Sequence, residues 1–397
     1  MCDMTKRKGK VFDSKKIIRL NCLYKLVFAF IFFLFISAAL SGTAYAADNY
    51  YEDISYEEIQ EVIDNILERN KEVNFEDYVK KLMSGEESFS LAAIGDKLIK
   101  ALSEEIKAHI STFTQLISIA LIAAIFTNLA KAFKYQQVSE TGYYVTYLLL
   151  FGLLISSFIG ASAIASKVIG QILDFMKALV PAYFMAVSFS TGSMSSLVFY
   201  KAALMVITLV DFIIIKFIIP MANFYLIIML ANNLSKEDML SKLAGLIETL
   251  IQWLLRSLLA AVIGFQTIQG LVVPVADQVK RSIIFKASSA IPGIGNAIEG
   301  VTETVIGSGI LLKNAIGAAG LIVILIICSV PIIQLTAITL IYKISCAALQ
   351  PISDKRIIEC INASAKSAQM LLKSVMAGAV LFLLSITIVA ISTGKGI

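Results

Sequence analysis

Apolar residues fill this chain in long blocks that short polar stretches separate. From Ile110 onward several blocks approach or exceed the roughly 20 residues that a helix needs to cross a bilayer core. The predicted spans lie at about 110–130, 143–165, 168–190, 197–219, 246–273, 315–342 and 374–392, with a half-helix from Pro220 to about 231. The pattern predicts an all-α, polytopic membrane protein with about five to seven true spans in residues 110–397.

Residues 1–46 have the three parts of a secretory signal peptide. The first 25 residues hold eight Lys and Arg, and an apolar run from Leu26 to Ile36 follows. Ala44 and Ala46 then provide the small residues that precede a cleavage site. We predict cleavage between Ala46 and Ala47, so that the mature chain starts outside the cytoplasm. The alternative is an uncleaved first anchor, for which the apolar run is short.

Residues 47–109 form an acidic segment, with sixteen acidic and seven basic side chains. Apolar residues at helical spacing follow Ser55, and further amphipathic helices are predicted from Asn74 and from about Phe89. We expect a small extracytoplasmic helical segment that packs on its own membrane domain or on a partner. A loose solvated linker is the alternative.

Composition agrees with a membrane protein: 58% of the 397 residues are hydrophobic and 16% are charged, and the mean hydropathy is +0.81. Soluble domains average about 25% charged residues. The net charge of +5 does not indicate nucleic-acid binding, because the basic residues lie in the targeting segment or between spans. Lys131 and Lys134 follow the first span and favour a cytoplasmic loop there.

Charged and polar residues also occur inside the predicted spans, where a charge costs about 2.5–3.5 kcal/mol and needs a partner or water. The set comprises Asp174, Lys177, Lys201, Asp211, Glu248, Gln252 and Arg256. One interpretation is a polar seam that lines a pathway or joins subunits. The other is a set of internal ion pairs, with lysines reaching to the span ends.

A Gly-rich stretch suggests a second feature. Pro292, Gly293, Gly295 and Gly300 could form a re-entrant or interfacial hairpin near a pore, since small residues allow close backbone approach in membranes. Segments 274–314 and 343–373 both carry basic residues that favour the cytoplasm. Either one apolar block is therefore re-entrant, or 343–373 lies amphipathically on the membrane surface.

The sequence has few groups that could perform catalysis. With a single histidine, His109, neither an HExxH zinc site nor a His-dependent triad can be built. There is no P-loop motif and no GxSxG motif. Asp174 and Asp211 would suit an intramembrane hydrolase, but no motif surrounds them. We expect no enzyme activity, no cofactor and no metal.

Several motifs resemble the stage III sporulation protein AE family. They are NNLS at 232–235, GFQTIQGLV at 264–272, VAD at 275–277, IPGIG at 291–295, LLKNAIG at 311–317 and LQPISDKRI at 349–357. The resemblance implies a multi-pass protein of the mother-cell membrane that surrounds the forespore. It also implies a channel or scaffold subunit, permease-like, of a secretion-like complex required for endospore formation.

The resemblance further implies that the partners are membrane lipids and other stage III sporulation proteins of that complex, with a homo-oligomer as a further possibility. The competing hypothesis is a self-contained transporter for a small solute. An inverted internal repeat would favour it, and none is evident in the sequence.

Overall fold

The computed structural model describes residues 56–66, 74–84, 91–132, 136–191, 195–234, 238–288 and 295–392. The helices, in chain order, are α1 (Glu57–Ile66), α2 (Phe75–Ser84), α3 (Leu91–Ala108), α4 (Ile110–Ala132), α5 (Gln136–Thr191), α6 (Ser195–Ile213), a π-helical segment (Ile214–Ile218), α7 (Ile219–Leu234), α8 (Ser241–Ser288), α9 (Gly295–Leu349) and α10 (Lys355–Ser392). No strand occurs in these ranges. Ala44, Ala46 and Ala47 lie outside the described residues, so the cleavage site stays a prediction.

Five stretches within the described helices are long and apolar enough to cross a membrane. They are Thr141–Ser188, Ala202–Leu234, Ser241–Ile268, Gly307–Leu349 and Lys355–Thr387. A sixth span arises if α3 and α4 cross together, since they are bent by 43° at His109. Large apolar side chains such as Leu148, Ile159 and Leu325 point outward, as lipid-facing residues do. The all-α polytopic prediction is confirmed.

The prediction of two separate spans at 143–165 and 168–190 is wrong. Both lie in α5, a single helix of 56 residues, which at about 1.5 Å per residue is roughly 84 Å long. The residues between the two blocks are Ser166 and Lys167, and neither of them breaks a helix as proline or glycine can. A polar residue alone therefore did not end the helix.

The break predicted at Pro220 takes a milder form. Proline has no N–H, so the carbonyl one turn earlier loses its helical partner. A π-helical segment precedes the proline, and in it the Ile219 N–H donates a hydrogen bond to the Ile214 carbonyl. Residues Ala202–Leu234 remain one continuous stretch of 33 residues, not a span followed by a half-helix.

The last two helices also start earlier than predicted. α9 begins at Gly295 instead of about 315, and α10 begins at Lys355 instead of about 374. Segment 343–373 packs in the bundle, with Ile357, Ile361 and Leu371 buried, and part of it belongs to Lys355–Thr387, a stretch long and apolar enough to cross a membrane. Its many alanines and serines allow close approach of neighbouring helices. A position on the membrane surface stays an alternative.

The core lies where α5, α9 and α10 pack against one another. α4 and α6 pack on α5, while α7 and α8 pack on α10. Gly320 of α9 lies so close to α5 that an added Cβ would be 2.5 Å from Leu179 Cδ2. Gly378 of α10 approaches Ile169 of α5 in the same way, at 2.6 Å. Gly317 of α9 also lies close to α5, since an added Cβ would be 3.1 Å from Tyr183 Cε2.

The amphipathic N-terminal helices pack on the same bundle. α1 contacts α5, and both α2 and α3 contact α9. Asn74 caps α2 by accepting a hydrogen bond from the Asp77 N–H at 3.0 Å. Gln60 Oε1 accepts from the Phe75 N–H at 2.9 Å and joins α1 to α2. This segment is therefore folded against the bundle and is not a loose linker in the residues described.

Candidate functional site

The predicted intramembrane residues do not form one seam. Asp174 and Lys177 pair on α5 at 3.5 Å, with 64% and 50% of their side chains exposed. Asp211 of α6 is close enough to interact electrostatically with both. Its Oδ1 is buried and accepts no hydrogen bond within the described part of the chain. This cluster holds two carboxylates and one ammonium, and Asp174 and Lys177 face outward from the bundle whereas Asp211 is partly buried.

Two further members of the predicted set lie on α6 and α8. Lys201 lies in α6, but its side chain is outside the described residues. Arg256 is exposed on α8, two turns beyond Glu248. Gly295 and Gly300 lie in the first turns of α9, whereas Pro292 and Gly293 are outside the described residues, so the re-entrant hairpin stays a prediction.

A second cluster joins three helices around an ion pair. Glu248 of α8 contacts the Lys366 ammonium of α10 at 2.6 Å. Gln252 Nε2 donates to Glu248 Oε1 at 3.2 Å, and the Tyr225 side chain of α7 hydrogen-bonds with Lys366. Only 20% of the Glu248 side chain is exposed. Sequence reasoning treated Lys366 as a loop residue and therefore missed this partner.

A third cluster lies at one end of α5 and was not predicted. Tyr147 donates to the Leu230 carbonyl of α7 and accepts from the Cys360 thiol of α10 at 3.3 Å. Tyr143, one turn earlier, donates to the Asn233 carbonyl at 3.3 Å. Tyr143 and Tyr147 share a helix face because they are four residues apart, and that spacing is the signal that sequence reasoning could have used.

The same cluster brings together two motifs that are distant in sequence. The Arg356 guanidinium stacks 3.8 Å above the Tyr143 ring, a cation–π contact, and its Nε lies 3.5 Å from Asp354. Arg356 belongs to the 349–357 motif, and Asn233 belongs to the 232–235 motif. Both meet on Tyr143, so the two motifs form one helix-end contact between α5, α7 and α10.

A hydrogen-bonded turn links α7 to α8 beside this contact. Asp238 accepts from the Ser241 hydroxyl at 2.8 Å and from Asn232 Nδ2 at 2.9 Å. Asn232 Oδ1 accepts from the Leu240 N–H at 2.7 Å. The bond from Ser241 and then the bond from Asn232 stabilise the ionised carboxylate and lower the pKa of Asp238.

The second and third clusters join different helices and can hold them in register. Within the described ranges no three His, Cys, Asp or Glu side chains are placed to hold a metal ion. Cys328, Cys346 and Cys360 are free thiols. The result is a helix bundle in which hydrogen bonds and an ion pair between polar side chains connect different helices.

The chain matches the sequence model of stage III sporulation protein AE over residues 73–393. It is also similar to the stage III sporulation protein AE of Bacillus subtilis (strain 168), with 26% identity over 310 residues, which cover 78% of each chain. No solved structure matches it. The matched region begins near α2 and includes all three polar clusters.

Proposed function

Because the chain belongs to the stage III sporulation protein AE family and so acts in sporulation, we propose that it is a channel or scaffold subunit of a complex joining mother cell and forespore. Its place in this proposal is the mother-cell membrane around the forespore. Other stage III sporulation proteins and membrane lipids are its partners there. The family match over residues 73–393 is the observation that carries the proposal.

The bundle supports a structural role for this subunit. Its central helices α5 and α9 have 56 and 55 residues, whereas about 20 residues cross a bilayer core. Such helices extend well beyond one bilayer core and offer side surface to neighbouring proteins. The outward-facing charges of Asp174 and Lys177 favour contact with a polar partner over contact with lipid. That partner is another complex subunit or a second copy of this chain.

The N-terminal helices support the same proposal. If the signal peptide is cleaved after Ala46, α1, α2 and α3 lie outside the cytoplasm, at the side facing the forespore. The acidic side chains of α1, with Glu58 and Glu61 exposed, would then face proteins on the opposite membrane. Catalysis has no part in this proposal, and neither does a cofactor.

Deletion of the gene tests the role in the complex. We expect sporulation to stop after engulfment, and complementation with the full-length gene to restore it. A strain with the gene deleted that forms normal spores would refute the proposal.

Reconstitution distinguishes a subunit from a self-contained transporter. The purified chain alone in liposomes should not take up labelled small solutes, because a subunit needs its partners. Specific uptake by the chain alone would favour the transporter. An intramembrane hydrolase would instead require Asp174 and Asp211, so sporulation by strains with Asp174→Ala and Asp211→Ala would exclude it.

A further inference from the structure

Four basic side chains are exposed on four helical segments of the bundle. Each lies in a stretch that is long and apolar enough to cross a membrane. None of the four forms an ion pair within the described part of the chain. This basic girdle comprises Lys167 of α5, Lys216 of the π-helical segment, Arg256 of α8 and Lys373 of α10.

Contacts between α8 and α10 place two members of the girdle at the same depth. Two side-chain contacts join these helices, and their partners are 118 and 119 positions apart in the sequence. The nearly constant separation shows that the two helices run in the same direction and rise together. Arg256 lies between the two α8 partners, so it is level with Ser374 or Val375 of α10, next to Lys373. The two contacts are Glu248–Lys366 and Gln266–Ser385.

Gly378 of α10 relates the other two members to this depth. An added Cβ there would lie 2.6 Å from Ile169 Cδ1 of α5 and 3.6 Å from Ile214 Cδ1 of the π-helical segment. Lys167 and Lys216 are each two residues from these isoleucines. Both lie toward the helix-end contact of α5, α7 and α10, because α5 runs parallel to α10 and α7 runs antiparallel to it. At about 1.5 Å per residue, the whole girdle falls within roughly one helical turn.

A band with almost no charge lies between the girdle and the helix-end contact. Residues 141–166 of α5 and residues 217–234 of the π-helical segment and α7 carry no charged side chain. Residues 243–255 of α8 and 360–372 of α10 carry one each. These two charges form the ion pair of the second cluster, so on these helices the band contains no unpaired charge.

The height of this band matches a lipid core. Lys355, at the start of α10, and Lys373 are eighteen residues apart, which is about 27 Å along a helix. The hydrocarbon core of a bilayer is about 30 Å thick. Basic side chains at both edges of such a band can reach into the headgroups while their stems stay on apolar surface.

We propose that the basic girdle binds the phosphate groups of anionic phospholipids, and that the lipid core lies between the girdle and the helix-end contact. Basic residues near a bilayer surface attract anionic lipids. A lipid core on the opposite side of the girdle would instead enclose Asp174, Lys177 and Asp211, and charges at that depth are costly. The girdle therefore fixes the depth of the bundle in the membrane. This inference goes beyond the proposed function and does not depend on it.

Trp253, the single tryptophan of the chain, can report the depth of the girdle. It is 50% exposed and lies three residues before Arg256, about 4.5 Å closer to the middle of the proposed lipid core. In vesicles of phosphatidylglycerol and brominated phosphatidylcholine, bromine near the headgroup end of the acyl chains should quench Trp253 fluorescence more strongly than bromine near the chain ends. Equal or stronger quenching from the chain ends, or no quenching from either position, would overturn the proposal.

Spin-labelled lipids test the binding partner. Electron spin resonance should show that the full chain retains phosphatidylglycerol at its surface several-fold more than phosphatidylcholine. Arg256→Gln combined with Lys373→Gln should lower this preference several-fold, because each basic residue adds to the attraction. Equal retention of the two lipids by the unaltered chain would refute the binding of anionic headgroups.

Lys80→Gln combined with Lys81→Gln is the matched control. It removes the same charge from exposed side chains of α2, which lies outside the membrane-length stretches, so the lipid preference should not change. Unfolding midpoints in detergent show whether both double variants keep the fold, and the Trp253 measurement needs no substitution. Equal lipid preferences in the two double variants would show that the girdle does not bind lipid.

Discussion

Two acid–base pairs in this bundle have the same chemistry but different settings. Asp174 and Lys177 lie on one helix, 3.5 Å apart and at least half exposed. Glu248 and Lys366 lie on α8 and α10, 2.6 Å apart, with Gln252 and Tyr225 beside them. The first pair forms whenever α5 is helical. The second forms only when the bundle is assembled, so it reports on assembly and the first does not.

The close packing of α5 on α9 gives the largest expected effect among these tests. Leu179, on the packed face, contacts α9 at Gly320, where an added Cβ would lie 2.5 Å from Leu179 Cδ2. We expect overpacking to make Gly320→Ala about 1–3 kcal/mol less stable than Gly307→Ala, which has the same gain in helix propensity. The measurement is the midpoint of denaturant unfolding in detergent micelles.

Gly307→Ala on the same helix is the control, because nothing lies within 4 Å of the added methyl group. It should be neutral or stabilising, since alanine favours a helix more than glycine does. Equal effects of the two substitutions would contradict the close packing of α5 on α9.

Removal of one charge from each pair comes next in expected size. Glu248→Ala leaves Lys366 unpaired between helices and should cost roughly 1–2 kcal/mol, between the values for exposed and buried pairs. Asp174→Ala should cost less than about 0.5 kcal/mol. Unfolding midpoints of the two variants at one detergent concentration provide the test, and a larger effect at Asp174 would reverse the comparison.

Double-mutant cycles isolate the pairwise energies, which are smaller. The cycle with Glu248→Gln and Lys366→Met should give a coupling energy of about 1 kcal/mol, and the one with Asp174→Asn and Lys177→Met about 0.3–0.5 kcal/mol. Both couplings should shrink at high salt, the exposed pair more so. Equal couplings would mean that the setting between helices adds nothing.

Asp238 is a carboxylate whose hydrogen-bond partners are neutral. The substitution Asp238→Asn should therefore change stability the least of those considered. Hydrogen bonds lower its pKa below the ordinary value of 3.8. Its contribution to stability is therefore present above about pH 4 and is lost as the pH falls through the lowered value. Stability measured from pH 5 down to pH 2 should fall less steeply in Asp238→Asn. Identical slopes would contradict the role of these bonds.

Local features of the fold were predictable because they depend on neighbouring residues. The helical period placed α1 to α4, Asn74 marked the start of α2, and the Asp174–Lys177 pair followed from spacing along one helix. The sequence pattern predicted helix breaks at 165–168 and at Pro220, but the helix continues through both positions. A lysine removes no backbone hydrogen bond and a proline removes one, so packing on both sides can keep a long helix continuous through either.

Pairings between helices could not be predicted from the sequence. Lys366 lies in segment 343–373, between two predicted spans, and its partner Glu248 is 118 residues away. The contact of Asn233 and Arg356 with Tyr143 likewise joins motifs that are more than one hundred residues apart. The sequence by itself determined that the chain lies in a membrane, because its apolar blocks are too long and too apolar for water. In lipid these blocks form helices, since each helix satisfies its own backbone hydrogen bonds. The tertiary structure decided which charges and hydroxyls meet, because helix register and rotation depend on side-chain packing across the bundle.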